Sequence, residues 1–120
     1  MLLAVDDNAD LLTLVASLLE NTPYEVTSVQ DPEEVLDLAQ ELQPCAITLD
    51  VMMPRRNGWQ VLYQLKANPS TAHIPVIMLT ILAEQTTGYV IGADEYLIKP
   101  FERESLLEVL RHVVEQGSAV

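Results

Sequence analysis

The sequence predicts an α/β fold in which five strands form one parallel sheet and helices cover both of its faces. Three observations support this: short apolar runs alternate with longer segments of helical spacing, three of the five runs are almost wholly apolar, and a proline-containing capping sequence marks one helix start. A strand that is buried on both faces has a continuous apolar run, which is typical of a parallel sheet. The alternation therefore predicts five β-α units.

The predicted strands and helices fill the chain from end to end. The strands cover residues 2–5, 25–29, 45–49, 75–79 and 96–98. The helices cover residues 9–20, 32–42, 59–67, 83–91 and 103–115. The second helix has the clearest start, because Asp31 can cap it and Pro32 occupies its first position. Right-handed crossovers and the common arrangement of five parallel strands predict a doubly wound sheet of order 2-1-3-4-5.

Length and composition indicate one domain over residues 1–120, of which 49% are hydrophobic. The apolar runs end well before the roughly 18 residues of a membrane span, and the first residues lack the positive flank of a secretory signal. We therefore expect a cytoplasmic domain with no membrane contact. Cys45 is the single cysteine, which excludes an internal disulfide, and its apolar neighbours predict a buried position.

Charge is the strongest compositional signal. The chain has 18 acidic residues against 6 basic ones, which gives a formal net charge of -12. Contacts with phosphate need clustered basic side chains, and such a cluster is missing from the sequence. We therefore expect no direct contact with nucleic acid.

Polar side chains stand at the end of four predicted strands. Asp6 and Asp7 follow the first strand, Asp50 the third, Thr80 the fourth and Lys99 the fifth. Taken singly, each has an ordinary structural explanation, such as a helix cap, a turn or a surface amine. Because the carboxyl ends of parallel strands meet at one edge of a sheet, where ligands bind in such folds, their joint placement favours a functional site.

The residue types at this edge suit phosphoryl transfer. Three neighbouring carboxylates repel one another unless a cation neutralises them, and Mg²⁺ prefers such oxygen ligands. Asp50 could then attack a phosphoryl donor, while Lys99 and Thr80 bind the transferred group. His73 and His112 lie outside this set and are not expected to be ligands.

Five segments in this order resemble the response-regulator receiver domains of two-component signalling, including the chemotaxis regulators. They are VDDN at 5–8, LDVMMP at 49–54, NG at 57–58, LT at 79–80 and GADEYLIKPF at 92–101. Each segment is a weak motif, but their combination at successive strand ends is specific, and the resemblance covers nearly the whole chain. It implies a flavodoxin-like fold and a Mg²⁺-dependent, phosphorylation-controlled switch.

The resemblance also implies a role for individual residues. Asp50 would be the phosphorylated residue, and Asp6, Asp7, Asp50 and the backbone carbonyl of Met52 would hold Mg²⁺. Thr80 and Lys99 would bind the phosphoryl group, Thr80 and Tyr96 would form the switch, and the Lys99–Pro100 peptide would be cis. Such a domain catalyses its own phosphorylation and slow dephosphorylation, without turnover of an external substrate.

Partners follow from the same resemblance. A histidine kinase or phosphotransfer protein would donate the phosphoryl group, and a downstream protein target or effector domain would receive the signal, with a homodimer as a further option. The sequence names neither kinase nor target.

Two departures from the family pattern affect these expectations. Ile81 stands where a small residue is usual and could crowd Asp50. The segment that contains the predicted helix over 83–91 is short and includes poor helix formers.

A receiver-like binding module that works without phosphorylation is the alternative function. A flavin carrier is disfavoured, because Asp6 and Asp7 would repel phosphate in the absence of a metal.

Overall fold

Five strands form one parallel sheet in the computed structural model, which describes residues 1–51, 58–80, 94–99 and 101–118, the side chains of Thr80 and residues 116–118 excepted. The strands are β1 (Leu2–Val5), β2 (Val26–Val29), β3 (Ala46–Asp50), β4 (Val76–Thr80) and β5 (Glu95–Ile98). Their order is β2-β1-β3-β4-β5, and every neighbouring pair is parallel. The predicted fold class and strand order are confirmed, and each predicted strand lies within one residue of its observed limits.

Helices connect the strands. Within the described ranges they are α1 (Ala9–Leu18), α2 (Val35–Leu42), α3 (Gly58–Ala67) and α4 (Arg103–Ser118). The expected cap at Asp31 is present, since its carboxylate accepts a hydrogen bond of 2.9 Å from the Glu33 amide. A 3₁₀ turn, Pro32–Glu34, precedes α2, as often happens at a helix start. The predicted helix over 83–91 lies outside the described residues.

Two apolar layers cover the sheet because successive side chains of each strand point to opposite faces. In β1, Leu3 and Val5 join the cluster beneath α2 and α3, whereas Leu2 and Ala4 join the cluster beneath α1 and α4. All four of these side chains are buried. This double coverage explains the continuous apolar runs in the sequence, and it leaves the strand ends as the place where polar groups collect.

Cys45 does not occupy the buried position that its neighbours predict. It is partly exposed and lies one residue before β3, whose first residue, Ala46, is fully buried. The amino group of Met1 contacts its Sγ at 3.7 Å. The prediction of a buried thiol is wrong because the strand begins one position later than the apolar run.

None of the helices in the described residues combines the length and the apolar character needed to cross a bilayer.

Candidate phosphorylation and metal site

The site lies at the carboxyl ends of β1 and β3. β1 has β2 on one side and β3 on the other. The strand order therefore reverses between β1 and β3, and a crevice opens beyond the ends of these two strands. Val5 pairs with Leu49 in the parallel register, and the residues that follow them are Asp6 and Asp50. The sheet topology therefore places these two carboxylates next to each other, although they are far apart in sequence.

Three carboxylates converge in this crevice. One oxygen from each of Asp6, Asp7 and Asp50 can be chosen so that all three lie within 4.8 Å of one another. Asp6 and Asp50 are buried, with 2% and 6% of their surface exposed, whereas Asp7 is exposed. The structure thus brings together the three acids that the strand ends predict, with one of them open to solvent.

Asp6 is incompletely stabilised in this environment. Its Oδ1 accepts a hydrogen bond of 2.9 Å from the Asn8 amide, but its buried Oδ2 has no hydrogen-bond partner within the described parts of the chain. The pKa of Asp6 is raised from 3.8 to about 6, mainly by burial and also by the charge of Asp50, against the opposing effects of the Asn8 hydrogen bond and Lys99. A buried carboxylate oxygen without a partner is a group that a cation would stabilise.

Lys99 supplies one positive charge to the site from the end of β5. Its Nζ donates to Asp50 Oδ1 at 2.8 Å and lies 3.6 Å from Asp6 Oδ2. Among the described residues, one ammonium group faces three carboxylates, so this part of the site has an excess of negative charge. Hard oxygen donors with excess negative charge match the ligand preference of Mg²⁺, which also retains several of its waters. These residues therefore fit the predicted metal.

The other predicted site residues are described only in part. β4 ends at Thr80, which pairs with Ile98 of β5, but the Thr80 side chain lies outside the described residues. The same holds for Met52, Ile81 and the Lys99–Pro100 peptide. Their predicted roles therefore stay predictions. These roles are phosphoryl sensor for Thr80, metal ligand for Met52, obstructing side chain for Ile81 and cis peptide bond for Lys99–Pro100.

Tyr96, the predicted switch aromatic, is 7% exposed and packs against Trp59 on α3.

His73 is exposed, with its Nε2 2.9 Å from Gln43 Oε1, and His112 is exposed on α4. Neither histidine is among the residues that form the acidic cluster.

Gly58 brings the start of α3 against the acceptor strand, a role that the sequence did not reveal. Its amide donates a hydrogen bond of 2.7 Å to the Val51 carbonyl. A Cβ atom at this position would lie 2.9 Å from Val51 Cα and would collide with the Asp50 carbonyl oxygen. The only sequence signal was the Asn-Gly pair at 57–58, which predicts a turn but does not show what the glycine approaches.

Fold and site together define a doubly wound α/β domain with an acidic site at its topological switch point. Comparison with protein families shows a match to the response regulator receiver domain over residues 2–111. The chain belongs to this family, as the sequence motifs predicted, and its function is phosphorylation-controlled signalling in two-component systems.

Individual relatives agree with this assignment. The DNA-binding dual master transcriptional regulator RpaA of Synechocystis sp. is 37% identical over 122 residues, which cover 99% of this chain and 51% of RpaA. The chemotaxis protein CheY4 of Vibrio cholerae is 32% identical, with a TM-score of 0.87 over 93% of this chain and 96% of CheY4. The receiver domain of the sensor histidine kinase PA1611 from Pseudomonas aeruginosa, 26% identical with a TM-score of 0.86 over 95% of this chain and 96% of that domain, has a magnesium ion coordinated in its active-site cleft. Receiver domains bind Mg²⁺ in an acidic site of this kind.

The prediction of no direct contact with nucleic acid is contradicted by the similarity to RpaA, which is a DNA-binding regulator. The chain spans about half the length of the curated relatives it matches. The prediction failed because it used only the charge of these 120 residues. They correspond to 51% of RpaA, and their charge does not describe the other half of such a regulator.

Proposed function

We propose that this chain is the phosphoryl-accepting part of a DNA-binding transcriptional regulator and that Asp50 is the acceptor. The observation that carries the proposal is the contact of Asp50 with Lys99 at 2.8 Å inside a cluster of three carboxylates. The similarity to RpaA supports the choice of a transcriptional regulator over other signalling proteins. A cytoplasmic location belongs to the proposal, since a regulator must share a compartment with its DNA. So does a single domain over residues 1–120, which the single sheet with its two core layers supports.

Asp50 would act as the nucleophile. One of its carboxylate oxygens attacks phosphorus in line with the bond to the donor, a phosphohistidine of a kinase. The new O–P bond forms as the N–P bond breaks, and the electron pair stays on the imidazole, which takes up a proton. Asp50 is buried at the end of β3, next to the crevice between β1 and β3, and the donor would approach through this crevice.

Asp6, Asp7 and Asp50 would hold Mg²⁺, with the Met52 carbonyl as a fourth protein ligand. The ion would neutralise negative charge on the phosphoryl oxygens during transfer. The ammonium group of Lys99 would serve the same purpose. Since its ammonium group is bound to Asp50 before the reaction, it has only to shift from the carboxylate to the new phosphoryl oxygens, and Thr80 would add a hydroxyl hydrogen bond.

The acceptor is tested by incubation with Mg²⁺ and acetyl phosphate, followed by intact-mass measurement. We expect the wild-type chain to gain one phosphoryl group and Asp50→Asn to gain none. Asp37→Asn is the matched control, because Asp37 is an exposed carboxylate on α2 and is not one of the three acids of the cluster. Equal phosphorylation of wild type and Asp50→Asn would refute the assignment. No phosphorylation of the wild type would favour a binding module that works without phosphorylation.

The DNA-binding part of the proposal is tested on the full-length gene product. The fraction of genomic DNA fragments that the protein retains is measured with and without acetyl phosphate. We expect phosphorylation to change this fraction. No retention in either state would refute the proposed transcriptional role and leave the phosphorylation result standing.

A further inference from the structure

The start of α3 is in direct contact with the backbone of the acceptor strand. The Gly58 amide is hydrogen bonded to the Val51 carbonyl at 2.7 Å, and the Gly58 Cα leaves no space for a side chain against Asp50 and Val51. A close-packed contact of this kind transmits displacement, since neither partner can move without the other. A shift of the Asp50 backbone would therefore move the first turn of α3.

Trp59, the next residue, connects this turn to β5. Its indole is partly buried and packs against the apolar cluster to which Tyr96 belongs. The two ring centroids are 6.2 Å apart and the ring planes are tilted by 56°. This is the separation and inclined geometry that aromatic pairs favour.

β5 is thus linked to Asp50 at two positions. Lys99 contacts the Asp50 carboxylate directly at 2.8 Å, and Tyr96, three residues earlier, is linked to the Asp50 backbone through Trp59 and Gly58. The first link depends on the charge of the carboxylate, and the second depends on the position of the backbone. The two links therefore respond to different consequences of modification.

We propose that Trp59 is a positioning residue of the switch, which holds the Tyr96 ring in its buried place and passes displacement of the Asp50 backbone to β5. This inference rests on the proposed function, because the displacement would come from phosphorylation of Asp50. The competing explanation is that the two rings merely fill the core beneath α3. The two explanations differ in which amides lose protection when the indole is removed. A positioning role predicts a loss along β5 alone, whereas core filling predicts a loss throughout the sheet.

Amide hydrogen exchange on the whole chain separates them. Without phosphodonor, we expect Trp59→Leu to speed exchange of residues 95–98 by about two- to tenfold relative to β1 and β3, which corresponds to the loss of one aromatic pair. Trp59→Phe should restore most of the protection, since it keeps a ring. Tyr63→Leu is the control, because Tyr63 is an aromatic one turn further along α3 but is 66% exposed.

The coupling itself is measured with Mg²⁺ and beryllium fluoride, which mimics an acyl phosphate. Wild type and Tyr63→Leu should change their exchange over residues 95–98 when the mimic binds, and Trp59→Leu should lose most of that change. The fluorescence of Trp59, the single tryptophan, should respond in wild type and respond less in Tyr96→Leu.

Each outcome decides one of the two claims. Uniformly faster exchange of β1, β3 and β5 in Trp59→Leu would overturn the inference in favour of core filling. Wild-type exchange of residues 95–98 in that variant, before and after the mimic, would overturn it as well. If the wild type takes up neither phosphoryl group nor mimic, the proposed function fails, and with it the role of Trp59 in the switch. The exchange measured without phosphodonor still shows whether the indole holds Tyr96.

Discussion

At the scale of single residues, Asp6 is a buried carboxylate that shares one ammonium group with Asp50. It is 2% exposed, and its Oδ2 lies 3.6 Å from a Lys99 Nζ that is closer to Asp50, at 2.8 Å. We expect Asp6→Asn to stabilise the metal-free domain by about 1–3 kcal/mol, because the substitution removes a buried charge that its surroundings offset only in part. Chemical denaturation in the absence of divalent ions measures the change. A destabilised variant would show that the carboxylate is well compensated.

The same substitution should change the pH dependence of stability. The pKa of Asp6 is raised by burial from 3.8 to about 6, so between these values the folded domain binds more protons than the unfolded chain. The stability of the metal-free domain therefore falls as the pH rises through this range. Asp6→Asn should remove this fall, and Asp37→Asn should retain it.

Lys99 competes with a bound cation for the same carboxylates. Its Nζ lies within 4 Å of both Asp6 and Asp50, where its charge opposes that of a dication. We expect Lys99→Met to tighten Mg²⁺ binding by about three- to tenfold, as a repulsion that is partly screened by solvent would allow. Asp7→Asn should weaken binding, and calorimetric titration at neutral pH compares both variants with wild type. Unchanged affinity in Lys99→Met would place the ion outside the reach of this ammonium group.

At the scale of elements, Lys66 joins α3, the loop before β4 and the residue before β5. Its Nζ donates to the carbonyls of Ala72 and Ile74 at 3.3 and 2.9 Å and to Asp94 Oδ2 at 2.9 Å. Asp94 Oδ2 also accepts a 2.8 Å hydrogen bond from the Val76 amide. This network lies at the amino ends of β4 and β5, opposite the acidic site.

We expect Lys66→Met to lower the free energy of unfolding by about 1–2 kcal/mol, because it leaves two carbonyl groups without their donor. Asp94→Asn should cost less, since an amide oxygen can still accept from the Val76 amide and a half-exposed ion pair contributes little. Urea denaturation measures both variants. Since the network is remote from Asp50, intact-mass measurement should show normal phosphorylation in each, and a loss in either would reveal coupling between the two ends of the sheet.

Elements whose pattern is local could be predicted from the sequence. The three almost wholly apolar strands, β1, β3 and β4, were placed within one residue, because a strand buried on both faces must be apolar throughout. The helix expected over 32–42 begins instead as a 3₁₀ turn, Pro32–Glu34, a distinction that hydrophobic spacing does not carry. Cys45 was misplaced because apolar character does not mark the residue at which a strand begins.

The site was predictable where it depends on strand ends and not where it depends on packing between distant segments. Asp6 and Asp50 could be paired because topology alone makes their strands neighbours. The contact of Gly58 with the acceptor strand and that of Trp59 with Tyr96 depend on how deeply α3 sits on the sheet. Side-chain volumes across several elements set that depth, and no local motif records it.

At the scale of the whole molecule, general charge repulsion and the local metal site should separate in a stability experiment. The chain carries a net charge of -12, and salt weakens the repulsion between its surface charges, because the Debye length falls from about 30 Å at 0.01 M to about 3 Å at 1 M. We therefore expect monovalent salt to raise the melting temperature gradually. Magnesium at constant ionic strength should add a further rise in melting temperature that follows the occupancy of one site. At a concentration one hundred times its dissociation constant, the ion would raise the free energy of unfolding by about 2.7 kcal/mol. Asp7→Asn should lose the magnesium-specific rise and keep the response to salt, whereas Asp37→Asn should keep both. Were Asp7→Asn to retain the full magnesium-specific rise, Asp7 would not be a ligand, and the cation that stabilises this domain would have to bind elsewhere on its acidic surface.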